Sequence, residues 1–162
     1  MRKHNLITIL TTQFFILSLA LSYTHAASNE CRDDSLKCFY TNFDELYKKD
    51  YEYFWKILND SAEKAIRCKN TTDTTDFIKL ANITNNNVEF FEFINQRLEE
   101  LCVNSSACFF KSLSKVDHKT ANIIINKLKK PLFEDKKELD QVFKKYSSNL
   151  KYKFLSDIYF SK

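Results

Sequence analysis

The chain has 162 residues and a formal net charge of +4, and it contains no Gly and a single Pro, Pro131. Such a length holds one domain rather than two. Ordinary chains carry roughly 7% Gly and 5% Pro, so folds that need Gly at tight turns are excluded: two-residue β-hairpins, dinucleotide-binding turns and phosphate-cradling loops.

What remains is an all-α protein whose helix ends must be closed by Asn or by side chains instead of Gly, and fourteen Asn are available for this. Residues 1–26 begin with Arg2 and Lys3, continue with an apolar run from Leu6 to Leu21 and end on small or polar residues at Ser22, Thr24 and Ala26. That is the layout of a secretory signal peptide, and the run is short of the about 20 apolar residues that span a bilayer. The expected product is a secreted helical domain, residues 27–162, with no membrane span after cleavage.

A long helical pattern starts at Asp33 or Asp34 and carries Leu36, Phe39, Phe43, Leu46, Tyr47, Tyr51, Phe54, Trp55 and Leu58 as one apolar stripe. Asn59-Asp60-Ser61 predicts a break or kink, then a short helix from Ala62 to Cys68. The polar run Lys69–Thr75 reads as a loop, and Asp76–Ala81 as a short helix. The clearest amphipathic helix lies within Asn86–Cys108. Val88, Phe91, Ile94, Leu98 and Leu101 form its face, widened by Phe90 and Phe93, while Glu89, Glu92, Arg97, Glu99 and Glu100 lie mostly off it. One or two further turns follow through Phe109, Phe110 and Leu113. Asp117 caps a helix from His118 to Lys129, and Pro131 stops it. The last helix, Leu132–Phe160, has Leu139, Val142, Phe143, Tyr146, Leu150, Phe154 and Ile158 in register, with Ser147-Ser148-Asn149 as a weak point. The whole reads as a single compact bundle of five to seven helices stapled by one or two disulfides.

Five cysteines lie beyond the signal: Cys31, Cys38, Cys68, Cys102 and Cys108. In a secreted chain they oxidise, and the odd number leaves at least one over. If the first long helix and the central helix run antiparallel, Cys31 and Cys38 meet Cys102 and Cys108, and Cys68 is unpaired. A reversal at Asn59–Ser61 would instead bring Cys68 toward the others. Four sequons, at Asn70, Asn82, Asn59 and Asn104, are candidate N-glycosylation sites, with Asn70 the first choice because of its predicted loop.

Charge divides the mature chain. Residues 27–110 hold ten basic and fifteen acidic residues, whereas residues 111–162 hold thirteen lysines against six acids. The lysine-rich half could meet an acidic glycan or an anionic headgroup, or could simply be a solvated helix face. Nucleic acid is not an expected partner, since that half has no Arg for base edges. Catalytic sets are lacking: His118 is the one His left after cleavage, and Asp117 beside it reads as a cap rather than part of a triad. Acid pairs such as Asp33-Asp34, Glu99-Glu100 and Glu134-Asp135 read as solvated faces. No metal or cofactor motif is present, so no enzyme is expected.

The signal peptide, Cys31 and Cys38 opening a helix, Cys68 closing the next segment, and Cys102 and Cys108 as a close pair after an aromatic-rich helix form a layout. It resembles the secreted, all-helical, cysteine-containing domains of unknown function that are numerous in nematodes. The resemblance implies a secreted helical domain and adds no activity. Two functions follow as expectations. The first is a non-enzymatic extracellular interaction protein, an effector or a ligand for a receptor. The alternative is a carrier of a lipid or other apolar small molecule, suggested by fifteen Phe, eight Tyr and one Trp.

Overall fold

The computed structural model describes residues 36–161, which belong to one compact unit that begins at Asp34. The signal peptide, Cys31 and the acids Asp33 and Asp34 lie outside the described residues. Nine α-helices and one 3-10 turn are found among the described residues, above the five to seven expected, and no strand is among them.

The expected first helix is three helices, α1 (Leu36–Thr41), α2 (Phe43–Lys49) and α3 (Tyr51–Arg67). The breaks fall at Asn42 and Asp50. Asp50 accepts from the Tyr53 N–H at 3.2 Å and so starts α3 as its N-cap. Breaking here lets α1 and α2 fold their rings onto one point: Phe43 lies 5.1 Å from Phe54 and 4.9 Å from Phe90, both edge to face, and Phe39 lies 4.9 Å from Phe54. Each such pair contributes about 0.5–1.5 kcal/mol beyond the burial of its area.

The expected break at Asn59-Asp60-Ser61 is absent, and α3 runs through it. Their low helix propensity is offset by tertiary and local bonds. Asn59 donates to the Trp55 carbonyl, Lys56 pairs with Asp60 at 2.8 Å, and Ser61 is buried. α3 instead ends at Cys68, which takes the left-handed conformation (φ 47°) that Gly usually supplies. The expected loop 69–75 shrinks to a turn, because Asn70 caps α4 (Thr71–Lys79) by accepting from the Asp73 N–H at 2.9 Å. Thr74 and Thr75 turn inward, Thr74 donating to the Ala65 carbonyl at 3.1 Å and Thr75 to the Thr71 carbonyl at 2.6 Å. Polar residues here are buried because their hydroxyls find acceptors.

After the 3-10 turn Leu80–Asn82, Asn87 caps α5 (Val88–Asn104), the central helix. It packs on α3, on α6 (Ser106–Leu113), on α7 (His118–Leu128) and on α8 (Lys136–Tyr146). Its buried side is Phe90, Ile94, Leu98, Leu101 and Cys102, whereas Val88 is 66% exposed at the first turn and Phe91 and Phe93 are half-buried. α9 (Lys153–Phe160) closes the bundle against α7 and α8. The expected last helix is thus two, separated at Ser147–Tyr152 as its weak point suggested, and residues 132–135 precede α8 as a loop. Leu150, expected on the buried face, is 90% exposed in that connection.

Cysteine pairing differs from expectation. Cys68 is bonded to Cys108, with 6.2 Å between the Cα atoms. Cys38 is also disulfide-bonded, and Cys102 is a free, fully buried thiol. The reason is geometric. α4 packs between α3 and α6, and Ser105 Oγ bonds the Ile66 carbonyl at 2.9 Å, so the end of α3 meets the start of α6. Cys102 points into the core instead, where burial pushes its thiol well above the ordinary range.

Candidate functional site

α7 ends at Leu128, its last turn closed by the Lys129 N–H on the Ile125 carbonyl and the Lys130 N–H on the Lys127 carbonyl, and after Pro131, which has no N–H, the next donors need an acceptor from elsewhere. Glu99, on α5, fills that role. Its carboxylate accepts from the N–H groups of Leu132 (2.9 Å), Phe133 (2.8 Å) and Glu134 (2.8 Å), and its side chain is buried, 1% exposed. Three successive backbone donors converging on one anion form the kind of concavity that binds phosphate or carboxylate. Hydrogen bonds to a charged acceptor are about twice as strong as neutral ones. Asp135 then accepts from the Lys137 N–H at 2.7 Å and starts α8. The loop is therefore pinned on one side by α5 and at its end by α8.

The fastened loop carries its side chains outward. Leu132 is 67% and Phe133 49% exposed. Lys129, Lys130, Lys136 and Lys137 flank them. Two latches bring the end of α9 to the same place. Lys129 donates to the Ser161 carbonyl at 3.0 Å, and Lys136 donates to the Tyr159 hydroxyl at 2.6 Å. Phe160, also exposed, lies between those anchors. Tyr159 in turn donates to Asp140 at 2.8 Å and stacks on Phe143 at 3.8 Å. Lys136, which also pairs with Asp140, is the main cause that holds the Asp140 carboxyl below the ordinary aspartate range, with Tyr159 adding to it; burial and then Asp140 push the Tyr159 phenol up.

The residues singled out from sequence do not gather into one site. The four sequon asparagines, Asn59, Asn70, Asn82 and Asn104, are all exposed. Asn70 is a helix cap rather than a loop residue, and its Nδ2 reaches Asp73 at 2.8 Å. Asn82 donates to Thr120 at 2.7 Å, and Asn104 ends α5. His118 is an exposed first-turn residue beside the ring of Phe154. Its neighbour Asp117 caps α7, accepting from the Thr120 N–H at 2.9 Å and the Thr120 hydroxyl at 2.6 Å, bonds that lower its pKa. A solvent-open cleft of about 170 Å³ is lined by Leu36, Ser61, Lys64, Asp73 and Asp76. Its lining suits a polar occupant and not the apolar one a carrier would take. No cluster of His, Cys, Asp or Glu among the described residues is arranged to hold a metal ion.

Glu99 is the residue that sequence reasoning placed wrongly, on a solvated face with Glu100. Glu100 does face outward enough to pair with Arg97 at 2.7 Å. The signal was in two places. Cys102, an apolar residue one helical step (i, i+3) from Glu99, extends the covered side of α5 toward it. The run Lys129–Lys137 also needs an acceptor for the donors that follow Pro131. No protein-family model matches the chain, and neither a curated protein nor a solved structure is detectably similar to it.

Proposed function

We propose that this is a secreted, non-enzymatic interaction protein that attaches to an extracellular surface through the loop fastened by Glu99. The observation that carries the reading is the pairing of opposites in that loop. Its backbone is held by a buried carboxylate, while Leu132 and Phe133 are left exposed. Two exposed large apolar side chains on a rigid support lose little conformational freedom when they are covered, which favours binding. The Cys68–Cys108 bond supports the secreted part of the reading, because disulfides persist in oxidising compartments. No helix among the described residues is long and apolar enough to cross a membrane.

The test is direct. The full chain, expressed in a eukaryotic secretory line, is collected from the medium, its N-terminus sequenced, and the labelled protein titrated onto intact cells. A start at Ala27 or Ser28 and saturable binding are expected. A Leu132→Ser/Phe133→Ser variant should bind about thirtyfold more weakly, the scale of losing a hot spot of about 2 kcal/mol. Binding that ignores this double substitution would overturn the reading.

A further inference from the structure

Resting on that reading, we infer that the surface bound by the Leu132–Phe133 loop is an anionic lipid bilayer, with Leu132, Phe133 and Phe160 entering the headgroup region and Lys130 and Lys137 meeting lipid phosphates and carboxylates.

Three observations point this way. The first is the company the apolar side chains keep. Of the four lysines in residues 129–137, Lys129 and Lys136 are held by Ser161, Tyr159 and Asp140, which leaves Lys130 and Lys137 to face a ligand, and of the two acids there Asp135 caps α8. An exposed apolar centre with a lysine rim is the pattern of interfacial membrane contact. Protein–protein interfaces are depleted in Lys, so the same surroundings disfavour a protein partner. An acidic glycan would answer the lysines and leave Leu132 and Phe133 without a role.

The second observation is the state of the backbone. A loop that dips toward the acyl boundary must satisfy its own N–H groups, because water is scarce there and an unpaired donor is costly. Glu99 satisfies three in succession, those of Leu132, Phe133 and Glu134.

The third is geometry. Lys129 on Ser161 and Lys136 on Tyr159 bring Phe160 to the same end of the bundle, adding a third apolar side chain to the two of the loop. Leu150, though more exposed than any of these, lies past the other end of α8 and serves as an internal control.

The experiment is co-sedimentation of the full secreted protein with vesicles of phosphatidylcholine alone and of phosphatidylcholine with phosphatidylserine at about two to one, at several salt concentrations. Binding to the mixed vesicles only is expected, and it should weaken as salt shortens the screening length from about 10 Å at 0.1 M toward about 3 Å at 1 M. Leu132→Ser/Phe133→Ser and Lys130→Glu/Lys137→Glu should each bind about tenfold more weakly, whereas Leu150→Ser should bind as the parent does. All of these positions are exposed, and matched thermal melts establish that each variant folds. No binding to mixed vesicles, or binding indifferent to Leu132 and Phe133, overturns the lipid assignment. Retention on heparin without vesicle binding overturns it in favour of an acidic glycan. Cell binding that depends on the loop while vesicles are ignored overturns it and leaves the surface-binding reading standing; cell binding independent of the loop removes both.

Discussion

Residues 36–66 bury eight apolar side chains, among them Phe39, Phe43 and Phe54, whereas residues 131–161, a stretch of equal length, bury four: Leu139, Phe143, Leu155 and Tyr159. The two ends of the described chain are therefore held by different physics. The first rests on ring packing around Phe54 and Phe90. The second stacks fewer rings, Phe143 on Tyr159 at 3.8 Å and Phe110 on Tyr146 at 4.1 Å, and adds polar fasteners: Glu99 under the loop, and Lys129 and Lys136 on the end of α9. Polar fasteners release apolar side chains from core duty, which is how Leu132, Phe133 and Phe160 come to be exposed.

The contrast can be broken at either end. The largest effect is expected from Phe54→Ala, which empties the centre of the ring cluster and should lower unfolding free energy by about 3–5 kcal/mol in a denaturant titration. Removing the link near the middle, with Cys68→Ser/Cys108→Ser, frees a connection of 40 residues. The chain-entropy relation puts that at roughly 4 kcal/mol, and the observed loss should be about 2–4. Native thiol labelling should leave Cys102 untouched in the parent.

Glu99→Ala tests the second region. It deserts three backbone donors, some of which can turn to water, so a loss of about 2–4 kcal/mol is expected. Its distinctive sign is local: limited proteolysis should cut near residues 131–135 before the bundle opens, and Glu99→Gln should give an intermediate result. An Ala variant as stable and as protease-resistant as the parent would mean that the carboxylate fastens nothing.

The smallest effect concerns pH. Lys136 first, and Tyr159 after it, depress the Asp140 carboxyl in the folded chain. A depressed acid contributes stability that is present above its unfolded value and is lost as pH falls through its folded one. Acidification below the ordinary aspartate range should therefore loosen α9 from α8. The group is partly exposed, so the contribution should stay under about 1 kcal/mol. Urea unfolding at stepped pH should show that Asp140→Asn removes this part of the acid dependence and no other; an unchanged pH profile would discard the latch.

The all-α class, the Asp117 cap and the interruption after Tyr146 were legible in the chain because each depends on nearby residues. The absence of Gly, the 3.6-residue period and an Asp before a helical run act over a few residues, and no distant contact is needed to read them. The same local logic failed at Asn59–Ser61 and at Lys69–Thr75. There, poor helix formers are held helical by partners, Ser61 by burial and Thr74 by the Ala65 carbonyl. Tertiary structure alone decided that Cys68 meets Cys108, that Cys102 stays a thiol and that Glu99 is buried. Each of those depends on which helix ends come together across a separation of about 30 to 40 residues, and neither composition nor periodicity carries that distance.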